Sequence, residues 1–190
     1  TRQLVVERGA EGFSLSDACR VAGVTTAAPY KHFRDKNEIL EEIIMRGFDD
    51  LSAKLIEAVV AKGAGTLEGM IAMGEAYIAF AVEHTAIFRL MFGQNPVLKE
   101  AENVSDTGRG CFGKVIEQVG IYCERNAVDG DARVIALELW TFVHGASSLL
   151  VDGDYEKVAP GLDVRPLLAS VSARLLRAPI KIAPRGPCCD

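Results

Sequence analysis

Over residues 36–61 the apolar side chains Ile39, Leu40, Ile43, Ile44, Phe48, Leu51, Leu55 and Val59 recur three or four positions apart without interruption. That period lays them along one stripe of an α-helix, whereas a strand would need apolar residues at every second position. Shorter runs repeat the pattern downstream. Met70, Met73, Tyr77, Phe80 and Ala81 mark a helix from about Thr66 to Val82, and His84 to Phe92 gives another, stopped by Gly93 and Pro96. After a polar stretch around Asn103 to Gly110, Phe112, Val115, Ile116, Val119 and Tyr122 mark a further helix. NAVDGD then leads into an apolar helix from Asp131 to Val151, closed by DGD, and Val164, Leu167, Leu168, Val171 and Leu175 mark a last one from Asp163 to Arg177. No segment alternates as a strand does, so the expected class is all-α with about nine helices.

The front of the chain is built from shorter pieces. A helix over Leu4 to Arg8 has no capping residue and no start methionine before it, so it is expected to continue upstream of Thr1. Ser14 followed by Asp17 is a capping box, which starts a helix at Leu15. Leu15, Ala18, Cys19 and Ala22 give that helix one small-residue face, and Gly23 ends it. Val24 fills the turn, Thr25 caps a second helix from Thr26 to Phe33, and Pro29 is tolerated in its first turn. Two short helices joined by a tight turn make a helix-turn-helix. Thr26, Ala27 and Ala28 at the tip are small enough to approach base edges, while Tyr30, Lys31, His32 and Lys36 suit phosphates. Two amphipathic helices can also simply pack, with Tyr30 and Phe33 as core aromatics.

The net charge of −5 bears on that choice only when divided along the chain. Residues 1–46 carry seven Lys or Arg against seven Asp or Glu, and residues 47–190 carry fourteen against nineteen. Residues 14–36 hold Arg20, Lys31, Arg34 and Lys36 against Asp17 and Asp35. The acid therefore lies downstream, which suits a protein that docks one end on phosphate.

The segment AGVTTAAPYKHFRDKNEIL resembles the operator-reading half of the tetracycline-repressor (TetR) family through Ala22, Gly23, Val24, Thr25, Tyr30, His32, Phe33, Lys36 and Leu40. WTFVHGASSLLVDG, with Trp140, His144 and Gly145 in W-x-x-x-H-G spacing, is similar to the C-terminal regulatory domain of one subgroup, as is FRLMFG at Phe88 to Gly93. The resemblance implies a three-helix DNA-binding domain over 1–46 and a helical-bundle effector-binding and dimerisation domain over 47–190. The DNA-binding residues are then Ser14, Thr25, Thr26, Ala27, Tyr30, Lys31, His32 and Lys36.

For the second domain, methionine and aromatic side chains together suit an adaptable apolar pocket. The candidates are Met73, Tyr77, Phe80, His84, Phe88, Met91, Phe92, Phe112, Ile116, Trp140 and His144, although such sets also serve as plain core. Gly145, Ser148, Leu149, Leu168, Val171 and Leu175 on the last two long helices are the candidate dimer interface, with small residues for close approach. The expected partners are double-stranded operator DNA, a small-molecule effector and a second copy of the chain, with no membrane. No nucleophile–base–acid spacing, glycine-rich phosphate loop or metal-ligand spacing occurs, so no catalytic or metal residue and no cofactor is expected. The five cysteines, at 19, 111, 123, 188 and 189, read as reduced thiols. No run reaches the ~18 to 20 uninterrupted apolar residues of a membrane span, and the expected location is cytoplasmic. These features give a ligand-released repressor that binds a palindromic operator as a homodimer. A helical small-molecule-binding protein without DNA-reading activity is the alternative, and an α-helical enzyme the third.

Overall fold

The structure is a computed structural model that describes residues 33–93, 98 and 100–176. Ser14, Thr25, Thr26, Ala27, Tyr30, Lys31 and His32 lie outside the described residues, as do the first three expected helices apart from Phe33. Among the described residues the chain forms seven helices and no strand: α1 (Lys36–Lys62), α2 (Leu67–Glu83), α3 (Thr85–Phe92), α4 (Glu102–Asn126), α5 (Ala132–Val151), α6 (Asp154–Val158) and α7 (Val164–Leu175).

Helix α1 is held at its start by the Asp35 carboxylate, which accepts the Glu38 amide at 3.0 Å, and runs unbroken through residues 46 and 47. Its apolar stripe is buried from Ile39 to Val59, and Gly63 ends it at φ +103°. The turn into α2 is compact because Thr66 works in both directions. Its hydroxyl donates to Gly63 O at 2.8 Å and accepts from the Gly69 amide at 3.0 Å, capping α2. A Cβ on Gly69 would lie 2.3 Å from Gly63 O, so only glycine permits this approach. The end of α4 ties the same turn down: Arg125 donates to Ala64 O at 2.6 Å and Asn126 to Gly65 O at 3.0 Å.

Helix α1 packs on α2, α4 and α3, and α2 in turn packs on α5 and α7. Val59, Phe80, Ala81, Val119, Ile135 and Ala136 are fully buried where these layers meet. Asp131 and Asp163 cap α5 and α7 by accepting the amides two residues on, from Arg133 and Arg165. Across a 103° bend α3 leaves α2, and Arg89 fixes it to the end of α5 through Val151 O at 3.2 Å and Asp152 Oδ1 at 2.7 Å.

Two expectations about elements change. The polar stretch Asn103 to Gly110 is helical, forming the first half of α4 with Val104 and Cys111 buried. Burial of those two residues outweighs the weak helix propensity of the glycines between them. After DGD the chain also makes the five-residue helix α6, which carries no buried residue and so leaves no periodic apolar signature.

Candidate ligand-binding site

Five helices send aromatic side chains to one point: Phe48 from α1, Tyr77 from α2, Phe88 and Phe92 from α3, Phe112 from α4, and Trp140 with His144 from α5. Trp140 and His144 are four apart and so share a face of α5. The His144 ring stands 4.6 Å from Phe92, 5.3 Å from Phe88 and 5.5 Å from Trp140 between centroids. These are edge and tilted contacts in the range aromatic pairs favour.

A hydrogen-bond chain runs through this cluster. Trp140 Nε1–H donates to the Tyr77 hydroxyl at 3.2 Å, and Tyr77 Oη lies 2.9 Å from His144 Nδ1. Indole nitrogen is a donor only, so the phenol oxygen accepts from it and turns its own proton to Nδ1. That arrangement assigns the imidazole proton to Nε2. Burial supports the neutral ring, lowering the His144 pKa from 6.5, and it pushes the Tyr77 phenol up against the opposing Trp140 bond.

The depressed imidazole has a consequence for acid stability. A group that protonates less readily in the folded chain leaves stability intact above its unfolded value, near pH 6.5, and removes it as pH falls through the folded value. The urea midpoint should therefore decline on acidification below about 6.5. In His144→Gln, which keeps an acceptor for Tyr77 but cannot titrate there, that part of the decline should be missing. Identical pH profiles for the two proteins would contradict the assignment.

Beside the cluster lies a cavity of about 320 Å³, within the range of small-molecule sites. Its walls come from α1 (Phe48, Leu51, Leu55), α2 (Met70, Met73, Gly74, Tyr77), α3 (Phe92), α4 (Gly108, Arg109, Cys111, Phe112, Val115), α5 (Leu137, Leu139, Trp140, Val143) and α7 (Leu168, Ser172), and they are almost wholly apolar. The α7 wall closes tightly, since a Cβ on Gly74 would lie 2.8 Å from Leu168 Cδ1. Burial pushes the Cys111 thiol in the α4 wall up to about 11, so it is a neutral, inert surface at pH 7.

Of the pocket candidates, Met73, Tyr77, Phe92, Phe112 and Trp140 line the cavity. Phe80, His84, Phe88, Met91, Ile116 and His144 do not: Phe80 is fully buried with His84 against its ring at 5.1 Å, and His144 stands behind Tyr77. Leu51, Leu55, Gly74, Leu168 and Ser172 line it without having been singled out for that role. Their helical spacing is the same whether an inward side chain meets a neighbour or a space. The dimer candidates divide likewise. Gly145 and Leu149 are exposed, while Ser148, Val171 and Leu175 are half-buried. Leu168 is buried within its own chain at 1% exposure, seated on Gly74. Lys36 opens α1. Among the described residues no group of three or more His, Cys, Asp or Glu is placed to hold a metal ion.

With this geometry in place, two family profiles match the chain. Residues 1–43 match "Bacterial regulatory proteins, tetR family", and residues 70–175, which hold most of the cavity wall, match "Tetracyclin repressor-like, C-terminal domain". The HTH-type transcriptional repressor KstR2 of Rhodococcus jostii is 32% identical over 87 residues, 44% of this chain and 41% of that protein; the match thus spans less than half of either. A solved protein of unknown function from Rhodococcus sp. RHA1 is 28% identical, with 93% of each chain covered and a TM-score of 0.76. The regulator FadR of Bacillus subtilis, solved with stearoyl-CoA, has a similar fold at 15% identity and a TM-score of 0.68, over 92% of this chain and 93% of that one.

Proposed function

Since this chain belongs to the tetracycline-repressor family of bacterial regulatory proteins, we propose that it represses transcription by binding a palindromic operator as a homodimer and is released when a small apolar or amphipathic effector enters the cavity. The observation that carries this reading is the course of α1. Its first turns fall within the 1–43 match, and its later turns wall the cavity through Phe48, Leu51 and Leu55. One helix thus runs from within the 1–43 match to the effector space, so an effector that shifts α1 would shift the reading head. In this account residues 1–46 read DNA and residues 47–190 bind effector and pair, and the chain is one of the subgroup whose regulatory domain the Trp140-x-x-x-His144-Gly145 stretch resembles.

Pairing is supported by α5. It is long and apolar enough by composition to cross a membrane, as core helices also are, yet only 33% of its most apolar 18-residue stretch is buried within the chain. Leu137, Thr141, Gly145 and Leu149 fall four apart and are all exposed, making a continuous uncovered stripe. Leu167 on α7 is also exposed, at 40%, and Val171 and Leu175 are half-buried. Two copies joined along α5 and α7 would cover this surface and set two reading heads about one DNA turn apart, ~34 Å or a little more.

The direct test is binding to operator fragments retained from genomic DNA, titrated against salt. If Tyr30, Lys31, His32 and Lys36 meet phosphates, affinity falls steeply with salt and Lys36→Ala flattens the log–log slope by about one unit, with sequence preference unchanged. Substitutions at Thr26 or Ala27 instead alter the preferred sequence, at ~1–3 kcal/mol per mismatched pair. Binding that is indifferent to salt and to all of these changes leaves only a helical small-molecule-binding protein.

A further inference from the structure

We propose that the effector is an anionic amphipath, with a hydrocarbon body inside the cavity and its acid head on Arg109 at the mouth. This rests on the effector reading above and adds the chemistry of the ligand. Among the described residues lining the cavity, Arg109 alone carries a charge. Its side chain is 66% exposed, so the cavity wall reaches solvent at this residue.

The interior offers a polar head little. Trp140 spends its one N–H on Tyr77, and Tyr77 spends its one proton on His144 Nδ1. The Cys111 thiol is a weak donor and Ser172 a single hydroxyl on the far, α7 wall. A carboxylate among these groups would lose its hydration without adequate replacement, which is far costlier than burying a methylene chain. The head group therefore belongs at the opening.

The charged group there is a guanidinium whose charge Asp106 already balances. Arg109 donates Nη1 to Ser105 Oγ at 2.6 Å and pairs through Nη2 with Asp106, both on its own helix about one turn before it. Asp106 is 60% exposed and shows that the guanidinium already holds a carboxylate in this position. An incoming acid shares or replaces that partner, using the planar donor face that suits carboxylate. Lys114 and Asp49, the other charges near Cys111, are of opposite sign and bias the site little. A cationic head would meet Arg109 as a like charge.

The chain has a single tryptophan, and Trp140 lines the cavity, so its emission reports occupancy directly. The whole protein is titrated at pH 7 with decanoate, decanol and decylammonium. Decanoate should bind tightest. Arg109→Gln should weaken decanoate about fivefold, the limit for an exposed ion pair, and leave decanol unchanged. Asp106→Asn, which removes the competing carboxylate, should strengthen decanoate and again leave decanol unchanged. Both positions are exposed, so neither change threatens the fold. Equal binding of decanoate and decanol, with no response to either substitution, overturns the anionic head while leaving the cavity as the effector site. Tighter binding of decanol, or of decylammonium, overturns it equally. If no probe perturbs Trp140, the effector reading itself fails and the ligand class with it.

Discussion

Gly145→Leu should turn a dimer into monomers and abolish operator binding without unfolding the chain. Among the described residues nothing lies within 4 Å of the Cβ that this substitution adds, so the isolated subunit accommodates a leucine on the outer face of α5. Its thermal midpoint should stay near that of the wild type, as for exposed sites in general. Across a symmetric α5 pairing the same atom meets its own copy, and two added isobutyl groups wedge apart helices that glycine allows to approach. Overpacking of this kind costs about 3 kcal/mol, roughly a hundredfold in the dissociation constant. A lone head keeps only one set of phosphate contacts, so operator affinity falls with dimerisation. Sedimentation at micromolar concentration and a gel-shift titration read the two effects together. A variant that remains dimeric and binds operator as the wild type does would place the pairing face elsewhere.

A second pair of substitutions separates core from cavity. Phe80 is fully exposed to its neighbours and not at all to solvent, so Phe80→Ala should lose about 3–5 kcal/mol of stability and lower the thermal midpoint by roughly 10 °C or more. Phe112 is half-buried, lines the cavity and packs at a tilt against Trp140, with 5.6 Å between ring centroids. Phe112→Ala should cost the fold less, enlarge the cavity and change effector affinity, while operator affinity without effector stays near the wild-type value. Release requires only that the effector prefer the non-binding arrangement, and a tenfold release needs about 1.4 kcal/mol of that preference. Calorimetric unfolding of both variants, with effector-dependent operator release, checks the contrast. An unaltered effector response in Phe112→Ala would make the aromatic face plain core.

Much of the helical framework was legible from spacing alone. The stripe from Ile39 to Val59 specifies α1, and Thr66, Asp131 and Asp163 mark helix starts because their side chains satisfy the first free amides. Trp140 and His144 had to share a face, since four residues make about one turn. Three things were not legible, and each depends on distant neighbours. Residues 103 to 110 read as a polar, glycine-containing break, yet the surrounding helices draw Val104 and Cys111 inward and the stretch coils. Phe80, Phe88 and Met91 carry the same inward signature as Met73 and Tyr77, but only the second pair borders empty space. Leu168 and Leu149 look alike on their helices, and Gly74 decides between them by leaving room for Leu168 inside its own chain. Apolar periodicity sets which side of a helix turns away from water. What that side then meets, whether a packed ring, a cavity or another subunit, is fixed by the shapes that other helices present across the bundle.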